Sequence, residues 1–263
     1  MLVVDAAIAP LVAEPRAGSE QLSQALAGHP LDLLESREPW LRVRGADGYE
    51  GWVHRGYLAA LTAEERTRRY ASERVSLGCT VRERAGKRRA LPVRALVADD
   101  AEVECGQAAS ASELATRFPR SPADAARTAR ELFEGTPYLW GGITPWGADC
   151  SGLAQSTFAL HGIRLPRDSR DQAGAGSLVA GGLSALAAGD LLFFSDRPDA
   201  TITHVALALD ETHIVHLALR RGGYAVEDVA HPADPYAEAL VRRFRFARRM
   251  ADGVQGSGLN PEP

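Results

Sequence analysis

The apolar residues of this 263-residue chain change their period at Gly162, and few folds accommodate such a change. Leading up to it, Leu153, Phe158, Leu160 and Ile163 are apolar near helical spacing. Gly152 and Gly162 fall near the two ends of a helix expected over Cys150 to Leu160. An earlier helix is expected to begin at Pro122: Ser121 is a good N-cap, proline suits the first helical position and Asp124 lies three residues past the cap. Gly135 would stop that helix after Glu134. Beyond Gly162 the signals are those of strands, at Leu191 to Phe194, His204 to Leu209, His213 to Leu219, Tyr224 to Val229 and Leu240 to Phe246. Helices followed by a run of antiparallel strands predict an α+β domain.

The N-terminal part has another pattern. Within residues 1–62, short strands are expected at Val3 to Val12, Leu31 to Leu34, Trp40 to Val43 and Gly51 to His54, with a hairpin signal at Asp47-Gly48. Short strands with turn punctuation argue a small all-β barrel. The segment Gly18 to Gly28 is long and polar for a strand connection and reads as a projecting loop. Residues 63–110 repeat the style more weakly, with strands at Val75 to Leu77, Thr80 to Arg84, Leu91 to Leu96 and Glu102 to Cys105 and turns at Ala85-Gly86 and Asp99-Asp100. A charged, alanine-rich connector, Gln107 to Arg120, leads into a third domain, 111–250. The Gly- and Pro-containing tail, 251–263, is expected to be disordered.

A net charge of -4 gives no basis for nucleic-acid binding, and no apolar run approaches membrane-spanning length. The three cysteines, Cys79, Cys105 and Cys150, are far apart and lack CxxC spacing, which suggests neither a disulfide framework nor a zinc site. The first fifteen residues have no basic n-region and are interrupted by Asp5, Pro10 and Glu14, unlike a signal peptide. A reducing, cytoplasmic setting is therefore expected, with no metal and no organic cofactor.

Cys150 follows a loop rich in glycine and aromatics, Tyr138 to Gly152, and opens a helix. In a first turn the helix dipole and unpaired N–H groups favour the thiolate, the nucleophilic form. A small buried hydrophobe is the other common fate of a free cysteine, so a partner base must decide. Seven histidines are available. If His204 to Leu209 and His213 to Leu219 form a hairpin turning near Asp210, positions summing to about 420 face each other. That pairs His204 with His216, whose Cβ atoms would lie about 5 Å apart, and turns His213 to the opposite face. One histidine as base and a second orienting it is the triad logic of a cysteine hydrolase, although each histidine taken alone can be structural. Such a triad would hold Cys150 as thiolate beside an imidazolium.

The motifs Tyr138-x-Trp140-Gly141-Gly142, Asp149-Cys150-Ser151-Gly152-Leu153, Pro166-Arg167-x-Ser169-x-x-Gln172, Gly189-Asp190-Leu191, His204-Val205 and His216 occur in that order. Together they resemble the NlpC-type family of papain-like bacterial cell-wall peptidases, over residues 121–248. The resemblance implies a papain-like α+β catalytic domain with an antiparallel sheet, preceded by two small all-β barrels similar to bacterial SH3 domains. It assigns Cys150 as nucleophile, His204 as general base and then acid, and His216 as the residue orienting His204. Tyr138 would stand near the oxyanion hole, where losing one donor typically costs about 10²- to 10³-fold in rate.

Two such barrels without an export signal resemble, more narrowly, the cytosolic γ-D-glutamyl-L-diamino acid endopeptidases of murein recycling. Those cleave murein tripeptides or tetrapeptides that begin with a free L-alanine. The resemblance then implies that Tyr57 and Glu20 of the first barrel, with Asp149, Ser151 and Ser169, bind the substrate. Asp149 would supply a carboxylate to the free ammonium, and is also placed to cap its helix. Tyr57 can instead cap the barrel core, and Glu35 or Glu38 can stand in for Glu20. Trp140 and Trp146 fit loop packing as well as a cleft wall. Action on intact wall polymer, or ligand binding without catalysis, are the competing expectations.

Overall fold

The computed structural model describes residues 1–84 and 86–251. It divides into two compact units, one of Met1–Leu114 with Trp140–Trp146, the other of Ala115–Leu139 with the chain from Gly147 onward. Ala85 of the expected Ala85-Gly86 turn, and all but the first residue of the expected tail, lie outside the described residues.

The first unit contains strands β1 (Leu2–Val4), β2 (Ile8–Val12), β3 (Gln21–Leu26), β4 (Pro30–Arg37), β5 (Trp40–Arg44), β6 (Glu50–His54) and β7 (Leu58–Ala60). They form one sheet in the order β3-β2-β6-β5-β4-β1-β7. Its core takes the alternate residues that face inward, among them Val4, Leu11, Leu31, Leu41 and Val53, with Tyr57 and Leu58 packed at the margin. The β5–β6 hairpin forms where Asp47-Gly48 predicts it: Gly48 has φ +81°, Tyr49 N–H donates to the Asp47 carboxylate, and Leu41 pairs Val53. Helix α1 (Ala63–Arg69) starts from a capping box between Thr62 and Glu65. Three further strands, β8 (Val75–Arg82), β9 (Arg88–Leu91) and β10 (Glu102–Ala109), make a sheet in the order β10-β8-β9. Val81, Leu91 and Val97 share a core with Val3, Leu26 and Ile143, the last lying in β11 (Ile143–Thr144).

Three expectations in this unit are corrected. Val3 to Val12 is two strands, because the chain bends at Ala6 and Ala7. Val75 to Arg82 is one strand rather than two; Gly78, at φ +94°, takes the irregularity without ending the ladder. Most of the presumed loop Gly18 to Gly28 is strand β3, paired antiparallel with β2 from Leu26 to Gln21. Polarity misled there: Ser23 and Gln24 are buried, and the Gln24 side chain accepts the Ile143 N–H at 3.2 Å. A polar side chain with a partner does not prevent backbone pairing.

The second unit contains α3 (Pro122–Phe133), reached through α2 (Ala111–Arg117), then β12 (Gly147–Ala148), α4 (Cys150–Leu160) and α5 (Ser169–Gln172). After these come β13 (Ser177–Leu178), β14 (Leu191–Phe194), β15 (His204–Ala208), β16 (His213–Ala218), β17 (Gly223–Asp228), α6 (Pro235–Arg242) and β18 (Phe244–Arg249). The sheet is antiparallel throughout, in the order β13-β18-β14-β15-β16-β17. Its central strands read as unbroken apolar runs because both faces are buried. Leu191, Phe193, Val205, Leu207, Val215 and Leu217 pack in one core with Phe133 of α3 and Leu153 and Phe158 of α4. Leu192, Phe194, Ala206, Ala208 and Ile214 form the other core with Leu240 of α6. The strand expected at Leu240 to Phe246 is thus half helix, since Asp234 caps α6 and Pro235 occupies its first turn.

Two glycines are explained by close approach. At Gly189 (φ +92°) an added Cβ would lie 2.3 Å from the Pro122 backbone, so the turn into β14 admits only glycine. Beside it, both Asp190 oxygens accept from Arg249 at 2.7 Å, tying β14 to β18. At Gly223 a Cβ would lie 2.2 Å from the Thr136 oxygen, where the chain leading to Tyr138 crosses the start of β17.

Candidate active site

Helix α4 begins at Cys150, as its sequence predicts, and Asp149 is its N-cap: the carboxylate accepts Gly152 N–H at 2.7 Å. Buried Arg167 grips the same carboxylate, with Nη2 2.6 Å from Oδ2 and Nη1 3.1 Å from Oδ1, and donates to the Ser151 hydroxyl at 2.8 Å. Gln172 Nε2 donates to the Ser151 carbonyl at 3.0 Å and to that of Pro166 at 2.8 Å. The Pro166–Gln172 motif is therefore a clamp on the first turn of α4, a role its residue types alone did not disclose.

The Cys150 side chain is buried, and its sulfur takes hydrogen bonds from the backbone N–H groups of Val205 and Ser151. Val205 follows His204, which opens β15, so the sulfur lies at the histidine end of that strand. His204 Nε2 is 2.8 Å from His216 Nδ1. The two are not directly opposed as a sum of 420 would place them: Leu207 pairs Val215 and Ala208 pairs Ile214, a sum of 422. The extra length is the Asp210-Glu211-Thr212 turn, in which the Asp210 carboxylate accepts the N–H groups of Thr212 and His213. An offset of two residues keeps a side chain on its face, so the rings still meet, diagonally. His213 points elsewhere and sits by Asp210.

Burial, and after it the Asp149 carboxylate, push the Cys150 thiol up to about 12 against the pull of the two N–H groups and Arg167. Burial, then His216 and Arg243, hold His204 well below its ordinary value. Both shifts favour the neutral pair over the thiolate–imidazolium expected. Desolvation of both groups outweighs what the helix N-terminus returns. A neutral pair can still react, with the imidazole removing the thiol proton as the sulfur attacks. Tyr138 is half-buried against the same core; burial, then the nearby Cys150 and Asp149, raise its phenol, which stays a hydrogen-bond donor.

Cys150, His204, His216, Tyr138, Asp149 and Ser151 are all placed by the second unit, and Ser169 begins α5 there. Ser151 donates to Asp149 at 3.1 Å, within the Arg167 clamp. Tyr57 and Glu20 belong to the first unit. The Tyr57 carbonyl accepts the N–H groups of Asp5 and Ala6, and exposed Glu20 accepts the Ala13 N–H on its carbonyl. Trp140 and Trp146, also of that unit, are exposed. Among the described residues no group of three or more His, Cys, Asp or Glu side chains is arranged to hold a metal, and no helix is long and apolar enough to cross a membrane.

A cysteine at a helix start, packed on an antiparallel sheet that carries a histidine pair, defines a papain-like cysteine hydrolase class. Residues 135–243 match the NlpC/P60 family and residues 13–59 match the bacterial SH3 domain. Dipeptidyl-peptidase 6 of Lysinibacillus sphaericus is 30% identical over 88% of this chain and 93% of its own length. Gamma-D-glutamyl-L-lysine dipeptidyl-peptidase of Bacillus subtilis (strain 168) is 46% identical over 86 residues, which is 32% of this chain and 28% of that relative. The crystal structure of an NlpC/P60 family protein from Bacillus cereus ATCC 10987 has the same fold, with TM-score 0.74 at 19% identity, over 94% of this chain and 98% of that one. The chain belongs to the NlpC/P60 family.

Proposed function

We propose that the protein is a cysteine endopeptidase that hydrolyses the γ-D-glutamyl-L-diamino acid bond of murein peptides with a free N-terminal L-alanine, in cytoplasmic cell-wall recycling. The observation that carries this is the Cys150 sulfur on the N–H of Val205, the residue that follows His204, together with His216 bonded to His204 at 2.8 Å. In the proposed sequence of events, His204 Nδ1 takes the thiol proton as sulfur attacks the γ-carbonyl. The oxyanion is met by backbone N–H and the Tyr138 hydroxyl, and the proton then passes to the leaving amine. Water hydrolyses the thioester with His204 again as base.

The free-amine requirement draws support from the relatives. A dipeptidyl-peptidase counts two residues from a free amino terminus, and three similar proteins carry that name. In this reading Ser169 joins Asp149 and Ser151 in holding the L-alanyl end. Asp149 would do so while paired to Arg167.

The test is product analysis on L-Ala-γ-D-Glu-diamino acid peptides with free and N-acetylated amines. Release of the diamino-acid portion from the free peptide alone is expected, and Cys150→Ala should abolish it. Equal rates on both peptides would remove the amine requirement, and turnover by Cys150→Ala would remove the cysteine mechanism.

A further inference from the structure

The histidine pair does not end at His216. Its Nε2 is fully buried and has no hydrogen bond, yet it lies 3.6 Å from Glu227 Oε1. Glu227, on β17 next to β16, is itself buried and cannot swing away. Arg221 holds it in a fork, Nε to Oε1 at 2.7 Å and Nη2 to Oε2 at 3.0 Å. The third guanidinium donor, Nη1, goes to the Asp234 N-cap of α6 at 2.7 Å, and the guanidinium lies 4.4 Å over the Tyr236 ring. A carboxylate fixed this firmly faces one atom of the triad's last member.

We infer that Glu227 is a positioning residue that sets the tautomers of both histidines. A bare Nε2 lone pair on His216 would face a buried carboxylate, so the proton belongs on that nitrogen. Nδ1 of His216 is then the acceptor, and His204 must donate to it from Nε2. That leaves Nδ1 of His204 unprotonated, the state needed to take a proton from Cys150. In the opposite arrangement His204 would carry its proton on the nitrogen meant to act as base. The 3.6 Å separation exceeds a hydrogen bond; it shortens when the pair gains charge during attack, because the carboxylate then meets a cation. Burial pushes the Glu227 carboxyl up, but His216 and Arg221 outweigh it and hold it below the usual range, so it is an anion at neutral pH.

The inference rests on the cysteine-peptidase reading, but its first test does not need activity. With 15N-labelled histidine in the full chain, the ring nitrogens of wild-type His216 should report Nε2–H and those of His204 Nε2–H. An Nδ1–H His216 overturns the inference, whereas the peptidase reading stands or falls on Cys150→Ala.

The second test is Glu227→Gln. The charged and titratable groups facing this site are His216 from β16, Arg220 and Arg221 from the turn after it, Asp234 and Tyr236 at the start of α6, and Arg243 after α6, which bears on His204. Without the carboxylate the histidine pair is less basic, so the acid limb of kcat/KM should move to lower pH. The plateau of kcat should fall about tenfold with KM little changed, part of the 10²- to 10⁴-fold a general base supplies. In a His216→Gln background the Glu227 substitution should have no further effect. A fall in kcat with an unmoved acid limb, or an equal fall in both backgrounds, would make Glu227 merely structural.

Discussion

At the scale of single residues, Cys150 is governed by two opposed forces. The start of α4 and two backbone N–H groups favour its thiolate, while burial and Asp149 favour the thiol, and the second pair wins. In substrate-free protein, alkylation of Cys150 in a Cys105→Ser background should therefore rise about tenfold per pH unit above neutral without levelling off, since only the thiolate reacts. Cys105 must be removed because it is exposed. A plateau below about pH 8 would show that the resting enzyme stores an ion pair. The sign for stability follows. A folded-state thiol raised above its unfolded value of about 8.5 contributes stability that is complete below that pH and is lost as pH rises toward the folded value of about 12. Thermal unfolding of Cys150→Ser should lack that alkaline loss.

At the scale of elements, the first turn of α4 is held less by propensity than by Arg167. This guanidinium, 1% exposed, and the Asp149 carboxylate, 9% exposed, form a buried pair; removing one partner of such a pair leaves an uncompensated charge at a cost of about 3–5 kcal/mol. Arg167→Met should lose that much in denaturant unfolding, and a loss under about 1 kcal/mol would make the clamp dispensable. The clamp also marks the limit of what the sequence discloses. Helices α3 and α4 were legible to their ends because Ser121, Pro122, Gly135 and Gly162 are local signals that act on adjacent backbone. Strand β3 and the start of α6 were not: β3 is strand because β2 pairs with it, and Asp234-Pro235 starts a helix that runs into Leu240 to Phe246, whose apolar residues read as strand. The same division holds at the site. Parity brought His204 and His216 together without the correct register, but Arg167 and Glu227 lie 18 and 11 residues from their partners Asp149 and His216, a link only folding makes.

At the scale of the whole molecule, the division into units is not a single cut. Trp140–Trp146 belongs with the first unit although it lies between Leu139 and Gly147 of the second. Ile143 is buried in the first unit's core, Gln24 accepts its N–H, and Gln21 Nε2 donates to the Trp140 carbonyl at 2.8 Å. A fragment beginning at Ala115 would carry that segment without its core. It should unfold at lower temperature than the intact chain and lose order just ahead of Asp149, measurable as fast amide exchange over residues 140–146; protection equal to that of the full chain would show the segment self-sufficient. For anyone exchanging N-terminal units between relatives, the practical unit of inheritance is two pieces of gene, and a graft joined at one breakpoint would leave seven residues fitted to a partner that is gone.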